Sequence, residues 1–350
     1  VKAAIYRGPG KIAIEDVTAP SLPSGGLVVE VECCLLCGTD MKAYYIENPR
    51  IRPGIILGHE FVGRVLERDE QASGLAVGDR VTMATTIGCN ECYLCKKGYS
   101  NLCEQRMCIG TDFPGALAER LAIPARAVLG GNVLPLPAGL SAEAGCLAEP
   151  LSCVINAQNL AEVGKGDTVV VVGAGPMGLL HLEAARAKGA TRTAAVQRSV
   201  HRRELARQFA DVVFSPEEAE AGIMNLTEGR GADVVIVTAP SPEAQEKALP
   251  LVGMNGRLSL FAGVPKDTPH VTLDSRWIHY RQIKVVGASD STPRHVAEAL
   301  ALLASGRIRS ELIITHRLPL ERVVEGIEMM KRGESLKVLI EVCPPLADLS

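Results

Sequence analysis

The sequence predicts an α/β protein of two domains, one mostly antiparallel β and one a doubly wound parallel sheet. Three observations carry this. A chain of 350 residues that is 47% apolar can bury more than one core, since domains usually hold roughly 100–200 residues. Up to about residue 150, short β-type runs such as GLVVEVECC and GDRVTMA alternate with Gly- and Pro-rich turns, the pattern of a compact antiparallel domain. From Asp167 onward, all-apolar strands alternate with helical segments, as in a parallel sheet covered on both faces.

In the second region DTVVVVGAG reads as a buried strand, PMGLLHLEAARAKG as a helix ending on Gly189, and TAAVQ as the next strand. RRELARQFA follows as a helix, then ADVVIVTAP, GRLSLFAG and IKVVGAS as strands. The C-terminal stretch holds one helix, TPRHVAEALALLASG, and one strand, KVLIEV. No repeat or low-complexity segment interrupts the series.

Charge and composition narrow the function. A net charge of −3, with basic residues scattered throughout, creates no field to concentrate nucleic acid or an anionic membrane. No apolar run approaches the ~18–20 residues that span a bilayer, and VKAAIYRGPG lacks the charged-then-apolar order of a signal peptide. A cytoplasmic protein with a small-molecule partner is expected. Eleven cysteines in a reducing compartment then read as metal ligands and buried thiols rather than disulfides.

Their spacing is informative. Cys89, Cys92, Cys95 and Cys103 form C-x2-C-x2-C-x7-C inside GCNECYLCKKGYSNLC. Four thiolates in a polar, Gly-containing loop can close a tetrahedral zinc site with ~2.3 Å bonds and no open position. Such a site holds a loop and leaves no room for a substrate. A second constellation is dispersed: Cys37 in LLCGTDMK, His59 and Glu60 in LGHEFVG, and Glu149 in LAEPL. Thiolate, imidazole and carboxylate can hold a zinc with one position left for water or a substrate oxygen. Asp40 could accept the second ring N–H of His59. The alternative is that Cys37 is a core thiol and His59-Glu60 opens a strand.

VVVVGAGPMG places Gly173, Gly175 and Gly178 as G-x-G-x-x-G between a strand and a helix. The first glycine allows a tight turn, the second a close approach of a pyrophosphate to the helix N-terminus, the third close helix–strand packing. About twenty residues on, a carboxylate usually grips the adenosine ribose. This chain offers Gln197, Arg198 and Ser199, with Arg202 one turn later. A carboxylate repels a 2′-phosphate, whereas guanidinium pairs with one. NADP is therefore expected ahead of NAD. Arg203 is expected to face solvent. The competing reading is that these are all solvated charges opening an amphipathic helix.

With CGTD, GHEFVGRV, VGDRV, the cysteine quartet, AEPL, VVGAGPMG and the closing GRI helix in this order, the chain resembles the zinc-dependent medium-chain alcohol dehydrogenases. It is most similar to the branch of sorbitol (polyol) and threonine dehydrogenases, over essentially its whole length. The resemblance implies a GroES-like catalytic domain from residues 1–152 and 293–350, with a structural zinc lobe at about 88–104. A Rossmann coenzyme domain would span 153–292. It also implies two zinc ions per chain, one structural on the quartet and one catalytic on Cys37, His59 and Glu60. Glu149 would be an alternative ligand or a partner of the zinc-bound water.

By the same resemblance, Thr39 receives the substrate proton, Pro176 and Met177 complete the cofactor turn, and Ala262, Gly263, Val264 and Ala288 border the nicotinamide. A dimer or tetramer is implied. Three departures bear on substrate. Lys42 stands where the family's proton relay continues to histidine, Ala43 replaces an aromatic residue, and Ala288 occupies the place of a substrate-binding arginine. The expected reaction is hydride transfer between NADP(H) and a secondary alcohol or ketone of a polyol or sugar-like substrate. A threonine or simple secondary-alcohol dehydrogenase is the alternative in class, and a non-catalytic zinc-stabilised nucleotide-binding protein the alternative outside it.

Overall fold

The computed structural model describes residues 1–46 and 50–343. The chain divides into two compact units, Val1–Ser152 with Asp290–Ser350, and Cys153–Ser289. The return to the first unit thus falls slightly before residue 293. The chain leaves the first unit within the helix Ala148–Leu160.

In the first unit, the buried strand Leu27–Leu35 is central to a sheet otherwise mostly antiparallel. On one side it pairs antiparallel with Glu60–Arg68, which pairs in turn with Arg80–Met83. On the other it takes the C-terminal strand Lys337–Glu341, also antiparallel, so both ends of the chain build one sheet. Ile314–Pro319 adds a parallel edge. Tyr6, Leu27, Phe61, Met83 and Leu121 fill the core, each full burial of a large apolar side chain being worth roughly 1.5–3 kcal/mol. Residues 88–103 form a loop that opens on Gly88 and holds the short helix Tyr93–Lys96 and the turn Ser100–Leu102.

The second unit is a six-stranded, wholly parallel sheet. Numbered within the unit, the strand order is 3-2-1-4-5-6, the doubly wound order whose ligands bind at the carboxyl ends of the strands. Thr168–Val172 leads through the glycine turn into the helix Pro176–Ala187. Gly178 allows this packing, because a Cβ there would lie 1.9 Å from the Gly173 carbonyl oxygen. Gly173 sits at φ +107°, where only glycine is unstrained. The strand Val212–Phe214, three residues long and half-buried, is one that the apolar pattern did not reveal.

Candidate functional site

In the first unit, strand register assembles the dispersed constellation. Leu35 lies opposite Glu60 on one side and opposite Leu339 on the other. Cys37, His59 and Lys337 are each only a residue or two from these pairs, so they gather at one end of the sheet. Among the described residues, the ligand atoms of Cys37, His59 and Glu60 all lie within 4.8 Å of one another. This soft sulfur, imidazole nitrogen and carboxylate set suits zinc. Glu149 is not part of that trio.

Asp40 fixes the frame. Cys37 caps the helix Gly38–Tyr45, and its backbone N–H donates to Asp40 Oδ2 at 2.9 Å. The Gly58 N–H donates to Oδ1 of the same buried carboxylate at 3.2 Å. Asp40 thereby ties the Cys37 loop to the His59 loop. Its expected bond to the His59 ring is not formed: His59 Nδ1 stands 3.9 Å from Oδ1, beyond hydrogen-bond reach.

Glu60 has a partner that sequence reasoning missed. Lys337 Nζ lies 2.5 Å from both Glu60 oxygens and donates to the Leu36 carbonyl at 3.3 Å. Both side chains are buried. Burial works against the ammonium charge, but Glu60, Cys37 and Glu149 together outweigh it and hold the Lys337 pKa above its ordinary value. The available signal was a lone lysine opening the apolar run KVLIEV.

Glu149 Oε1 accepts from Thr85 Oγ1 at 3.2 Å. Burial raises its pKa to about 7, His59 works to lower it, and Glu60 and Asp290 reinforce the rise. Thr86 donates to Asp290 close by in the chain fold. Thr39 is exposed beside Cys37, with 3.8 Å between the Cys37 sulfur and Thr39 Oγ1. Lys42 is exposed three positions further along the same helix.

The four quartet sulfurs lie within 4.8 Å of one another. The Cys89–Cys95 and Cys92–Cys103 sulfur pairs are both 3.9 Å apart, close to the roughly 3.8 Å edge of a tetrahedron with 2.3 Å zinc–sulfur bonds. Backbone N–H groups of Cys89 and Cys92 already point at the sulfurs of Cys103 and Cys89, the donors that stabilise thiolate charge. The residues fit a closed four-thiolate zinc site.

In the second unit a cavity of about 700 Å³ is lined by Gly173, Gly175, Gln197, Arg198, Arg202 and Thr238, among others. Gln197 turns inward: its Oε1 accepts the Ala174 N–H of the glycine turn at 3.0 Å. Arg202 reaches over that turn, with Nη1 3.8 Å from where a Gly175 Cβ would stand. Among the described residues, the Arg198 and Arg202 side chains have no hydrogen-bond or ion-pair partner. Arg203, expected to face solvent, instead donates to the Gln197 and Arg198 carbonyls at 3.0 and 2.8 Å, stiffening the segment that presents Arg198. Ser199 caps the helix Val200–Ala206 without a side-chain bond and is not in the cavity lining. Glu217, Glu220 and Glu243 also line the cavity, and Glu243 pairs with Lys247 at 2.6 Å.

Of the other segments tied to the cofactor, Pro176 and Met177 open the helix after the glycine turn. The Ala262 backbone is largely committed: its N–H donates to Val237 at 3.0 Å and its carbonyl accepts from Gln245 at 2.8 Å. Gly263 faces open space, and Ala288 follows the edge strand Lys284–Gly287.

The fold and these two ligand sets define a zinc-binding dehydrogenase, and comparison with known proteins agrees. Residues 23–136 match the alcohol dehydrogenase GroES-like domain, and residues 176–305 match the zinc-binding dehydrogenase domain. The chain is 33% identical to the L-threonine 3-dehydrogenase of Pyrococcus horikoshii, with 93% of each chain covered. It is equally 33% identical to the erythritol/L-threitol dehydrogenase of Mycolicibacterium smegmatis, over 97% of this chain and 96% of that one. A Sinorhizobium meliloti protein described as a zinc-binding dehydrogenase, solved with NADP bound, superposes with a TM-score of 0.89 at 30% identity, covering 97% of this chain and 98% of that one. The chain belongs to the zinc-dependent medium-chain alcohol dehydrogenase family, enzymes acting on CH–OH donors. No helix among the described residues is long and apolar enough to cross a membrane.

Proposed function

We propose that the protein transfers hydride between NADP(H) and the secondary alcohol or ketone of a polyol or sugar-like substrate. The observation that carries the cofactor preference is the pair of guanidinium groups, Arg198 and Arg202, that make no hydrogen bond or ion pair among the described residues and stand in the cavity beside the glycine turn, with Gln197 where a ribose-binding acid would stand. Two such groups offer a 2′-phosphate charge-assisted, forked hydrogen bonds. The NADP in the Sinorhizobium meliloti structure supports this reading.

Cys37 and His59 would hold the catalytic zinc, with Glu60 or Glu149 as the carboxylate ligand, and the quartet the structural zinc. When bound, the zinc supplies a Lewis acid for the alcohol oxygen and the nicotinamide a hydride acceptor. The protein's own part is orientation and proton movement. Thr39 Oγ1, beside the Cys37 sulfur, is placed to take the substrate proton, and exposed Lys42 to pass it outward. Asp40 holds the two ligand loops in register. Burial raises the Glu149 pKa, so a cation held beside it would favour its carboxylate form and its use as a ligand.

A second reading, oxidation of an amino alcohol such as threonine, is favoured by the similarity to the Pyrococcus horikoshii enzyme. Turnover of a panel of polyols, L-threonine and short secondary alcohols, each with NADP and NAD, separates the two. Replacement of Arg198 with alanine is expected to raise the KM for NADP at least about tenfold, the loss of one charge-assisted pair, while leaving the KM for NAD within about twofold. Equal effects on both cofactors would return these arginines to the role of solvated helix charges.

A further inference from the structure

Two buried polar side chains in the second unit are unexplained by the cofactor cavity. His181 lies on the helix Pro176–Ala187 with no exposed surface. Gln158 Nε2 donates to its carbonyl at 2.8 Å and stands 3.4 Å from its Nδ1. That neighbour leaves the ring proton on Nε2, which meets no nitrogen or oxygen acceptor among the described residues. Burial lowers the His181 pKa to about 3, so the ring is neutral at any working pH. A buried polar ring without full partners costs free energy, and besides Gln158 it meets the ring of Phe261. The two rings meet in a T shape, 4.6 Å between centroids and 85° between planes, the arrangement that aromatic quadrupoles and N–H···π contacts favour.

Phe261 begins the FAGV segment. Its neighbour Ala262 is held by the second buried group, Gln245 on the helix Pro242–Ala248, whose Nε2 donates to the Ala262 carbonyl at 2.8 Å. The N–H groups of Phe261 and Ala262 both donate to Val237, at 3.2 and 3.0 Å. Residues 261 and 262 are therefore braced from two helices and a strand, and Gly263, which follows, faces open space.

We propose that His181 and Gln245 are positioning residues for hydride transfer, fixing Phe261 and Ala262 so that Gly263 and Val264 present a set backbone edge to the nicotinamide ring. Neither touches the cofactor; each acts through the braced segment. Because the reacting atoms must be held to well under an ångström, loosening this segment harms the nicotinamide end of the cofactor and spares the adenosine end. The inference rests on the reading of this unit as the dinucleotide-binding domain and on the family resemblance that sets residues 262–264 beside the nicotinamide.

The test uses the zinc-loaded full-length protein with His181→Leu and, separately, Gln245→Leu. Binding of the reduced dinucleotide that the wild type prefers is compared with binding of its adenosine half, 2′,5′-ADP or ADP, and kcat is measured alongside. Each variant is expected to weaken the dinucleotide about tenfold, roughly the worth of one buried hydrogen bond, to lower kcat, and to leave the adenosine half within about twofold. Equal weakening of both ligands would mean a general structural role and overturn the proposal, as would no change in either. If the wild type binds neither ligand, the dinucleotide reading falls and this inference with it; if it binds both and the variants match it, this inference alone falls. Should His181→Leu fail to fold, Gln245→Leu, which preserves side-chain volume, decides.

Discussion

The cysteine quartet and the Cys37 trio, two sets of metal-competent side chains in the first unit, differ in how the chain builds them. The quartet is local: four sulfurs from one stretch of fifteen residues, Cys89 to Cys103, closed on one another with backbone N–H groups aimed at the sulfurs. The Cys37 trio is assembled by three strands whose register brings residues 37, 59, 60 and 337 to one end of a sheet. A closed sulfur cage holds structure and has no place for substrate. The assembled trio, as three ligands, would leave a coordination position open, and around it stand Thr39, buried Glu149 and the Asp40 brace. On the proposed reading the first set holds a loop and the second carries the chemistry.

This contrast can be broken at either set. Replacement of Cys103, whose sulfur sits among the other three with its residue fully buried, with alanine is expected to produce the largest effect on stability. Structural zinc binding is worth on the order of 10 kcal/mol in small zinc modules, so losing one of four ligands should release that metal and lower Tm sharply. Metal analysis beside a thermal melt checks this. A variant that keeps its Tm and loses turnover instead would reverse the assignment of the two sets.

A smaller effect is expected at the assembled set. In the metal-free protein, changing Lys337 to methionine leaves the Glu60 carboxylate buried and unpaired, a cost of about 3–5 kcal/mol. Adding Glu60→Gln should recover most of that stability, because the second change removes the stranded charge. Denaturant unfolding of the single and double variants measures the coupling. If the double variant is no more stable than Lys337→Met alone, Lys337 supports the sheet by packing and not by neutralising Glu60.

What the sequence disclosed follows the same division. Unbroken apolar runs such as TVVVV and ADVVIV report parallel strands because both their faces are buried, and the alternation with helices reports the double winding. Cysteine spacing discloses the quartet because its geometry is local. The residues of the assembled trio could be nominated one by one, but not Lys337, whose role depends on a strand pairing across some three hundred residues. Nor could spacing show that Asp40 spends its oxygens on the Cys37 and Gly58 N–H groups, or that Arg203 turns back onto the Gln197 and Arg198 carbonyls. The strand Val212–Phe214 escaped for a simpler reason, being too short and too exposed to leave a pattern. His181 and Gln245 were hidden among helical residues, since a polar side chain on a helix normally faces water.

The most direct test of the division between a closed holding site and an open reacting site is the zinc content and turnover of a Cys37→Ser variant. The account predicts that turnover disappears while about one zinc per chain, held by the closed four-thiolate set, remains with a Tm near that of the wild type. Turnover that survives the substitution, or loss of both metals together, would contradict it.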